Sequence, residues 1–451
     1  MSNLLAARSQ MAVSLGFHIV FTCIGMTMPW LMAAAEFRYR RTQQPVYRDL
    51  ARAWSKGVAV FFAVGAVSGT VLSFELGLLW PEFMRHAGPI IGLPFSWEGT
   101  AFFLEAIALG LFLYGWERLP PFIHLLSGVV VGISGVASGV LVIAANGFMN
   151  SPAGFRWVDG HATDIDPVAA MFNDAWASES LHMVIAAFVS TGFAAAGIHA
   201  FCMLRGSHKR SFHQQGLRMS LAMGAVAALL QPLSGDLSAK DVAKRQPAKL
   251  AAMEALYETQ RGAPLLIGGI PDDEAKTVHH ALEIPRGLSF LAFADPDAEV
   301  TGLDRIPRDQ WPPTSITHFA FQIMVGLGTL MAAVGAGFLL LRWRRPQLLN
   351  HRAVLSVITA CTPLGFLAVE AGWTVTEVGR QPWIIYGVMR TADAVSPMPG
   401  LQWSFFSIMA VYGLLGAVTW FVVVRLIRAN ERAVGMREQE PSALRAEAAH
   451  G

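Results

Sequence analysis

The sequence predicts an all-α protein: a polytopic membrane helix bundle with nine transmembrane helices, an outside N-terminus and a cytoplasmic C-terminus. Composition supplies the first two observations. Of the 451 residues, 53% are hydrophobic and 15% are charged, whereas soluble domains carry about 25% charged residues. The third observation is that apolar runs of about 20 residues, each long enough to cross a bilayer, recur along the chain.

The nine predicted spans alternate with loops of different charge. Their centres lie near Gly25, Val67, Ile107, Gly135, Ser190, Val226, Gly328, Thr362 and Tyr412. Basic clusters follow the first, fifth, seventh and ninth spans, and such loops are normally cytoplasmic. The acidic loop after the fourth span and the long polar segment before the seventh are then outside. The chain therefore divides into residues 1–235 (spans one to six), 236–312 (an extracytoplasmic loop), 313–430 (spans seven to nine) and 431–451 (a cytoplasmic tail).

The cysteines and the net charge exclude several classes of site. Cys23, Cys202 and Cys361 lie in apolar stretches with no CxxC or CxxCH spacing. This pattern does not suggest a zinc site, a disulfide framework or covalently attached haem. The net charge of +2 gives no reason to expect a nucleic-acid partner.

Several side chains able to bind metal or protons fall at a similar depth, in the expected outer half of the spans, at about 1.5 Å of rise per residue. They are His18, Glu98, Glu105, His182, Met324 and Glu377. His with Met is a known axial pair for electron-transfer haem, and a His-ligated haem with an open face binds oxygen. A lone His can instead bond a helix carbonyl, and a lone Met usually packs in a core. The set as a whole therefore indicates haem iron.

Residues 372–383, GWTVTEVGRQPW, carry an ionisable cluster out of the eighth span. Trp373 and Glu377 are four residues apart and share a helix face, and Arg380 follows where the chain leaves the hydrocarbon. A carboxylate at membrane depth needs a partner. The alternative is a surface-facing cap with an arginine that extends to water.

Five motifs together resemble subunit I of cytochrome bd-type quinol oxidases. They are residues 16–18 (GFH), 97–105 (WEGTAFFLE), 145–150 (ANGFMN), 321–326 (FQIMVG) and the 372–383 line. The resemblance runs from the first span through the ninth. It implies a terminal respiratory oxidase of the bacterial cytoplasmic (inner) membrane that oxidises quinol and reduces O2 to water.

The resemblance also implies roles for individual residues. His182 and Met324 would be the axial ligands of a low-spin haem b, and His18 and Glu377 the ligands of two high-spin haems. Glu98 would lie close to the oxygen-reducing iron. Trp373 would lie between haems, and Arg380 would pair with haem propionates.

The expected cofactors are two haem b groups, one low-spin and one high-spin, and a third haem, d or b. The expected partners are a second large membrane subunit and, in some family members, a small single-span subunit.

The polar segment between the sixth and seventh spans resembles the family's quinol-binding loop, with Lys249 and Glu254 as the quinol residues. Residues 246–258 are expected to form an amphipathic helix, and Glu254 at the outer surface is expected to pass quinol protons to water. Two readings stay open here. The helix could simply lie solvated on the membrane, and His279 and His280 are rival bases.

The predicted depths imply a direction for protons. Quinol protons leave outside, whereas the protons consumed in making water come from the cytoplasm. They pass through Glu105 and then Glu98, with Ser138 and Asn146 as polar neighbours, and no pump is needed.

Gln322 stands where long-loop family members generally have arginine. With the short quinol loop, it resembles the cyanide-insensitive branch, and the lost positive charge should lower the potential of the low-spin haem.

Two other functions are consistent with buried Glu and His. A proton-coupled secondary transporter predicts two similar halves and charged sites near the midplane, neither of which the sequence indicates. An electron-transfer cytochrome b without oxygen chemistry would use His182 and Met324 but leave His18, Glu98 and Glu377 unexplained. A visible spectrum separates the three.

Overall fold

The computed structural model describes residues 1–208 and 210–447, with side chains to residue 431 of the last helix. The helices are α1 (Asn3–Thr42), α2 (Pro45–Leu79), α3 (Pro81–Tyr114), α4 (Pro121–Asn150), α5 (Pro167–Met171), α6 (Trp176–Leu204), α7 (Arg210–Arg245), α8 (Pro247–Met253), α9 (Gly287–Phe293), α10 (Thr314–Arg344), α11 (Arg352–Ala360), α12 (Leu364–Val378), α13 (Thr391–Ala394) and α14 (Leu401–Glu447). The predicted tail, residues 431–451, continues α14 to Glu447, and its last four residues lie outside the described part.

The predicted nine-span bundle is confirmed for the described residues. The helices long and apolar enough to cross a membrane are α1, α2, α3, α4, α6, α7, α10, the α11–α12 pair and α14. Sequence neighbours pack together as α1 with α2, α3 with α4 and α6 with α7, while α4 also contacts α1 and α6. The helix α12 packs against α10 and α6. The sequence-predicted ligands therefore project from helices that contact one another. The orientation across the membrane stays a prediction.

The eighth span consists of two helices rather than one. The helix α11 ends at Ala360 and α12 begins at Leu364. Pro363 lies in the break, and because it has no N–H it cannot continue a helical ladder. The segment 372–383 thus begins on a short helix, α12, which is separate from α11, the half of this span that is expected on the cytoplasmic side.

The helix α7 extends past the boundary predicted at residue 235. It continues to Arg245, and two ion pairs four residues apart support the polar extension. Lys240 Nζ lies 2.6 Å from an Asp236 oxygen, and Arg245 Nη2 lies 3.2 Å from an Asp241 oxygen. Ion pairs at this spacing stabilise a helix, so α7 continues beyond the end of its apolar residues.

Ten short strands form two-stranded antiparallel ladders. The pairs are β1 (Arg156–Val158) with β2 (His161–Thr163), β3 (Gln260–Arg261) with β8 (Glu299–Val300), β4 (Leu265–Ile267) with β7 (Leu282–Ile284), β5 (Ile270–Asp272) with β6 (Thr277–His279), and β9 (Trp383–Ile385) with β10 (Met389–Arg390). Six of these strands, with α8 and α9, fold residues 246–313 into a cap, here called the insertion. The end of the bundle that it covers, the insertion end, also contains the last residue of α4, Asn150.

The amphipathic helix expected over residues 246–258 is wrong in length and in setting. Only Pro247–Met253 are helical, and every residue from Ala248 to Tyr257 is buried. Ala248, Ala251 and Ala252 keep α8 thin, so it packs on all sides beneath the insertion and against α7 and α10. Residues 246–258 are therefore an internal segment and not a helix lying on the membrane surface.

Candidate functional site

Two histidines on different helices are held by serine hydroxyls in the same way. His18 Nδ1 lies 2.9 Å from Ser68 Oγ of α2, and His182 Nδ1 lies 3.1 Å from Ser234 Oγ of α7. Each serine hydroxyl donates its own proton to a carbonyl on its own helix, at 2.9 Å in both cases. With the serine proton directed to that carbonyl, the oxygen accepts from Nδ1–H, and this assignment of the tautomer leaves Nε2 with its lone pair. Metal-binding histidines are typically held in this way.

A second contact to His182 comes from an amide. Gln231 Nε2 lies 3.2 Å from both ring nitrogens of His182, and Gln231 Oε1 has no partner among the described residues. The amide can donate to the free Nε2 lone pair, the position that an iron ion would take. The contact is therefore one that iron binding would replace.

Glycines face three of the predicted ligands. A Cβ placed on the glycine would lie 3.1 Å from His18 Cε1 at Gly69, 3.4 Å from His182 Cε1 at Gly235 and 2.8 Å from Met324 Sδ at Gly372. A side chain at Gly69 or Gly372 would press on the imidazole ring or the thioether, whereas one at Gly235 would make an ordinary contact. The glycines therefore let all three predicted ligands pack closely against a neighbouring helix.

Glu377, at the end of α12, is bonded through both carboxylate oxygens. Asn146 Nδ2 donates to Oε1 at 2.7 Å and Arg380 Nη2 donates to Oε2 at 2.6 Å. Each oxygen keeps a further lone pair for a metal ion. Two buried donors nearby in sequence, Trp373 Nε1 and Arg380 Nε, have no partner among the described residues. Because buried donors are normally satisfied, they fit an anionic group such as a haem propionate.

The predicted quinol residue Lys249 lies in the same polar cluster. Its Nζ donates to Asn150 Oδ1 at 3.0 Å, and Arg380 Nη1 donates to the same oxygen at 3.2 Å. Asn150 Nδ2 donates to Glu179 Oε1 of α6 at 3.0 Å. Desolvation lowers the pKa of Lys249, assisted by Arg380 and opposed by Glu179 and Glu377. The structure thus brings the predicted quinol residue Lys249 close to Arg380 and Glu377 of the segment 372–383.

Glu254 is not at the outer surface as expected. Its side chain is 4% exposed and its Oε2 has no partner among the described residues. Burial raises the pKa of Glu254 to about 8. The correction follows from the packing of residues 248–257, which places Glu254 beneath the insertion. The rival bases His279 and His280 are exposed.

Glu98 and Glu105 lie two turns apart on α3. Ser138 Oγ of α4 donates to Glu98 Oε1 at 2.8 Å, so the expected contact between these two helices exists. Glu105 is 6% exposed, and its Oε1 lies 3.5 Å from a Cβ placed on Gly135 of α4. Asn146, the other expected neighbour, bonds Glu377 instead. The fourth span, α4, therefore bonds two of the predicted carboxylates. Ser138 bonds Glu98, and Asn146, about two turns further along α4, bonds Glu377.

Gln322 has a structural role in place of a charge. Its Nε2 donates to Leu266 O and its Oε1 accepts from Gly268 N, both at 3.0 Å. These bonds tie α10, two residues before Met324, to the insertion. A neutral amide therefore occupies this position.

Asn150 and Glu179 were missed as site residues by sequence reasoning. A weak signal existed, because Asn150 follows Asn146 by four residues and Glu179 precedes His182 by three, so each shares a helix face with a predicted site residue. The spacing could not show that Asn150 meets side chains from α6, from α8 and from the turn after α12.

Comparison with known proteins gives a consistent set of similarities. The family model described as cytochrome bd terminal oxidase subunit I matches residues 6–431. The putative cytochrome bd menaquinol oxidase subunit I of Bacillus subtilis (strain 168) is 36% identical, over 95% of this chain and 97% of that protein. The cytochrome bd-II ubiquinol oxidase subunit 1 of Escherichia coli (strain K12) is 29% identical, over 93% and 94%.

A solved structure is similar over the same range. The bd oxidase from Geobacillus thermodenitrificans contains a chain that superposes with a TM-score of 0.90 at 36% identity, covering 95% of this chain and 99% of that chain. Sequence and fold therefore agree over nearly the whole length.

Proposed function

This chain belongs to the cytochrome bd terminal oxidase subunit I family, and from that premise we propose that His182 and Met324 hold a low-spin haem b while His18 and Glu377 hold two high-spin haems. The family makes the protein a quinol:oxygen oxidoreductase and a multi-pass protein of the bacterial inner membrane. Haem is the cofactor that the family implies, and the third haem is d or b. When bound, haem iron supplies the one-electron transfers and the reduction of O2.

One observation carries the ligand assignment more than any other. His18 and His182 lie on different helices, yet the Nδ1 atom of each lies within hydrogen-bond distance of a serine hydroxyl that also bonds a carbonyl of its own helix. A histidine that merely satisfied a helix carbonyl would not need this arrangement. An imidazole fixed in one tautomer with Nε2 free is prepared to bind a metal ion.

Quinol oxidation is assigned to the buried segment around Lys249 and Glu254. Removing two electrons from a quinol also releases its two hydroxyl protons, so the site needs a base. A carboxylate with a pKa near 8 is a stronger base than an ordinary glutamate, and its basic form becomes the main form as the pH rises through 8. Glu254 accepts a proton from quinol and then returns it to water at the insertion end, which we place outside the membrane.

Protons consumed in making water are assigned to a different pair. Glu105 is buried between α3 and α4, and Glu98 above it is held by Ser138. Glu105 receives a proton from the cytoplasmic side and passes it towards Glu98, which delivers it to the oxygen-reducing centre. Uptake on one side and release on the other generate voltage without a pump.

The proposed complex contains a second large membrane subunit, and family members also include a small single-span subunit. Its substrates are a membrane quinol and O2. The test is a visible spectrum and an extracted-haem analysis of the purified complex, with quinol-dependent O2 uptake. We expect a low-spin haem together with a carbon monoxide-sensitive high-spin component. A colourless protein would favour a transporter, and low-spin haem alone would favour an electron carrier; either result would contradict the proposal.

A further inference from the structure

The Asn150 side chain uses its full hydrogen-bonding capacity inside the protein. Its oxygen accepts from Lys249 Nζ at 3.0 Å and from Arg380 Nη1 at 3.2 Å. Its nitrogen donates to Asn146 Oδ1 and to Glu179 Oε1, both at 3.0 Å. A primary amide has two acceptor and two donor positions, so the orientation of the side chain is fixed, with the oxygen towards both cations and the nitrogen towards the acceptors.

The charges around this amide balance. Lys249 and Arg380 are 3% and 2% exposed, and the carboxylates that interact with them are Glu377 and Glu179. Two buried cations sharing one neutral oxygen are costly unless anions stand close by. Glu377 pairs with Arg380 directly, whereas Glu179 reaches the cations only across Asn150. The four charged groups and the amide form one unit drawn from α4, α6, α8 and α12.

We propose that Asn150 is a positioning residue that couples the quinol segment to the Glu377 site, and that Glu179 supplies the charge that keeps Lys249 in place beside Arg380. This inference rests on the proposed function for the roles of Lys249 and Glu377. The physical argument is that Lys249 and Arg380 compete for one oxygen atom. When a bound quinol draws Lys249 away from Asn150, the bond from Arg380 to the Asn150 oxygen becomes stronger. Because Arg380 also bonds Glu377 at 2.6 Å, the hydrogen bond to Glu377 changes as well.

Such coupling is reciprocal. If a ligand at Lys249 changes the state of the Glu377 site, a change at the Glu377 site must alter the affinity at Lys249 by the same factor. The coupling requires both bonds to Asn150 and is lost when that oxygen is removed. Leucine has the same number and branching of side-chain heavy atoms as asparagine but offers no donor or acceptor, so Asn150→Leu removes the bonds and keeps the branching of the side chain.

The first test measures how firmly Lys249 is held, independently of activity. The purified complex is treated with an amine-acetylating reagent, and the rate at Lys249 is read by mass spectrometry. Hydrogen bonds to charged groups correspond to about a tenfold to hundredfold preference, so Asn150→Leu should label Lys249 at least about tenfold faster. Lys240, paired with Asp236 on the α7 extension, is the internal control and should not change.

The second test is kinetic and uses a double-mutant cycle. Asn150→Leu and Lys249→Met should each raise the quinol KM about tenfold, and the double variant should be no worse than the poorer single variant. Asn150→Leu should remove the Arg380 bond and shift the carbon monoxide difference spectrum of the high-spin component, whereas Lys249→Met, which leaves the Asn150 oxygen to Arg380 alone, should shift it in the opposite direction. Asn150→Asp keeps an acceptor for both cations and should retain the spectrum while moving the pH profile of quinol oxidation to higher pH, because the added charge favours protonated Lys249.

A purely structural role predicts something else. Every Asn150 variant would then lower the thermal stability while the quinol KM, the pH profile and the Lys249 labelling rate stayed as in the wild type, and that outcome would overturn the inference. The quinol oxidase activity of the wild-type complex distinguishes a failure of this inference from a failure of the proposed function. If it lacks quinol oxidase activity, the proposed function fails and the inference fails with it. If it is active and the Asn150 variants match it, only the inference fails.

Discussion

Ser234→Ala tests the way in which His182 is prepared for iron. Ser234 Oγ accepts the Nδ1–H of His182 at 3.1 Å, and no other hydroxyl bonds the ring in the described residues. A neutral hydrogen bond is worth about 1 kcal/mol, and loss of a bond that orients a metal ligand typically costs tenfold to a hundredfold in affinity. Because this bond is neutral and long, we expect the lower end, about a tenfold weaker hold on haem, equivalent to about 1.4 kcal/mol.

The assay follows transfer of low-spin haem from the purified complex to an excess of apomyoglobin by visible spectroscopy. Ser238→Ala is the matched control, since Ser238 lies one turn further along α7 and donates to the Ser178 carbonyl at 3.3 Å, away from His182. Ser234→Ala should lose haem about ten times faster than Ser238→Ala. Equal rates for the two variants would refute the argument that the serine prepares the ligand.

Three further predictions follow. Glu105→Gln should slow O2 reduction by a factor of about 10² or more, as expected for loss of a proton-transfer group, with an unchanged spectrum; wild-type turnover would remove Glu105 from the proton route. The pKa of Glu254, raised by burial to about 8, means that its basic form increases as pH rises through 8, so quinol oxidation should increase from pH 7 to 9 in the wild type and stay low and flat in Glu254→Gln; a parallel rise in the variant would exclude this base. Gly372→Ala would place a methyl 2.8 Å from Met324 Sδ and should convert low-spin haem to high-spin, whereas Gly328→Ala, in open space, should not; a low-spin band in both would contradict the Met324 assignment.

The helices that carry the candidate ligands could be predicted from sequence because each is a long apolar run. An apolar span and its loop charges place His18 or His182 along the membrane normal without any knowledge of neighbours. Lateral contacts obey no such rule. Asn146 was expected beside the Glu98–Glu105 pair and instead bonds Glu377, because the side of α4 on which it lies faces α12.

The insertion was harder to predict for a related reason. Residues 246–258 have an apolar face, which is typical of a helix on a membrane surface. The structure buries residues 248–257 because α7, α10 and distant residues of the insertion, among them Leu288, Val300 and Leu303, pack around them. Glu254 is buried by those non-local contacts, and a single helix pattern cannot report them.

The proposed low-spin haem depends on His182 as one of its two axial ligands. The decisive measurement is the reduced-minus-oxidised spectrum of the purified His182→Ala complex, recorded with and without carbon monoxide. We predict that the low-spin band disappears while a carbon monoxide-sensitive component remains. A low-spin band of wild-type intensity in this variant would contradict the assignment.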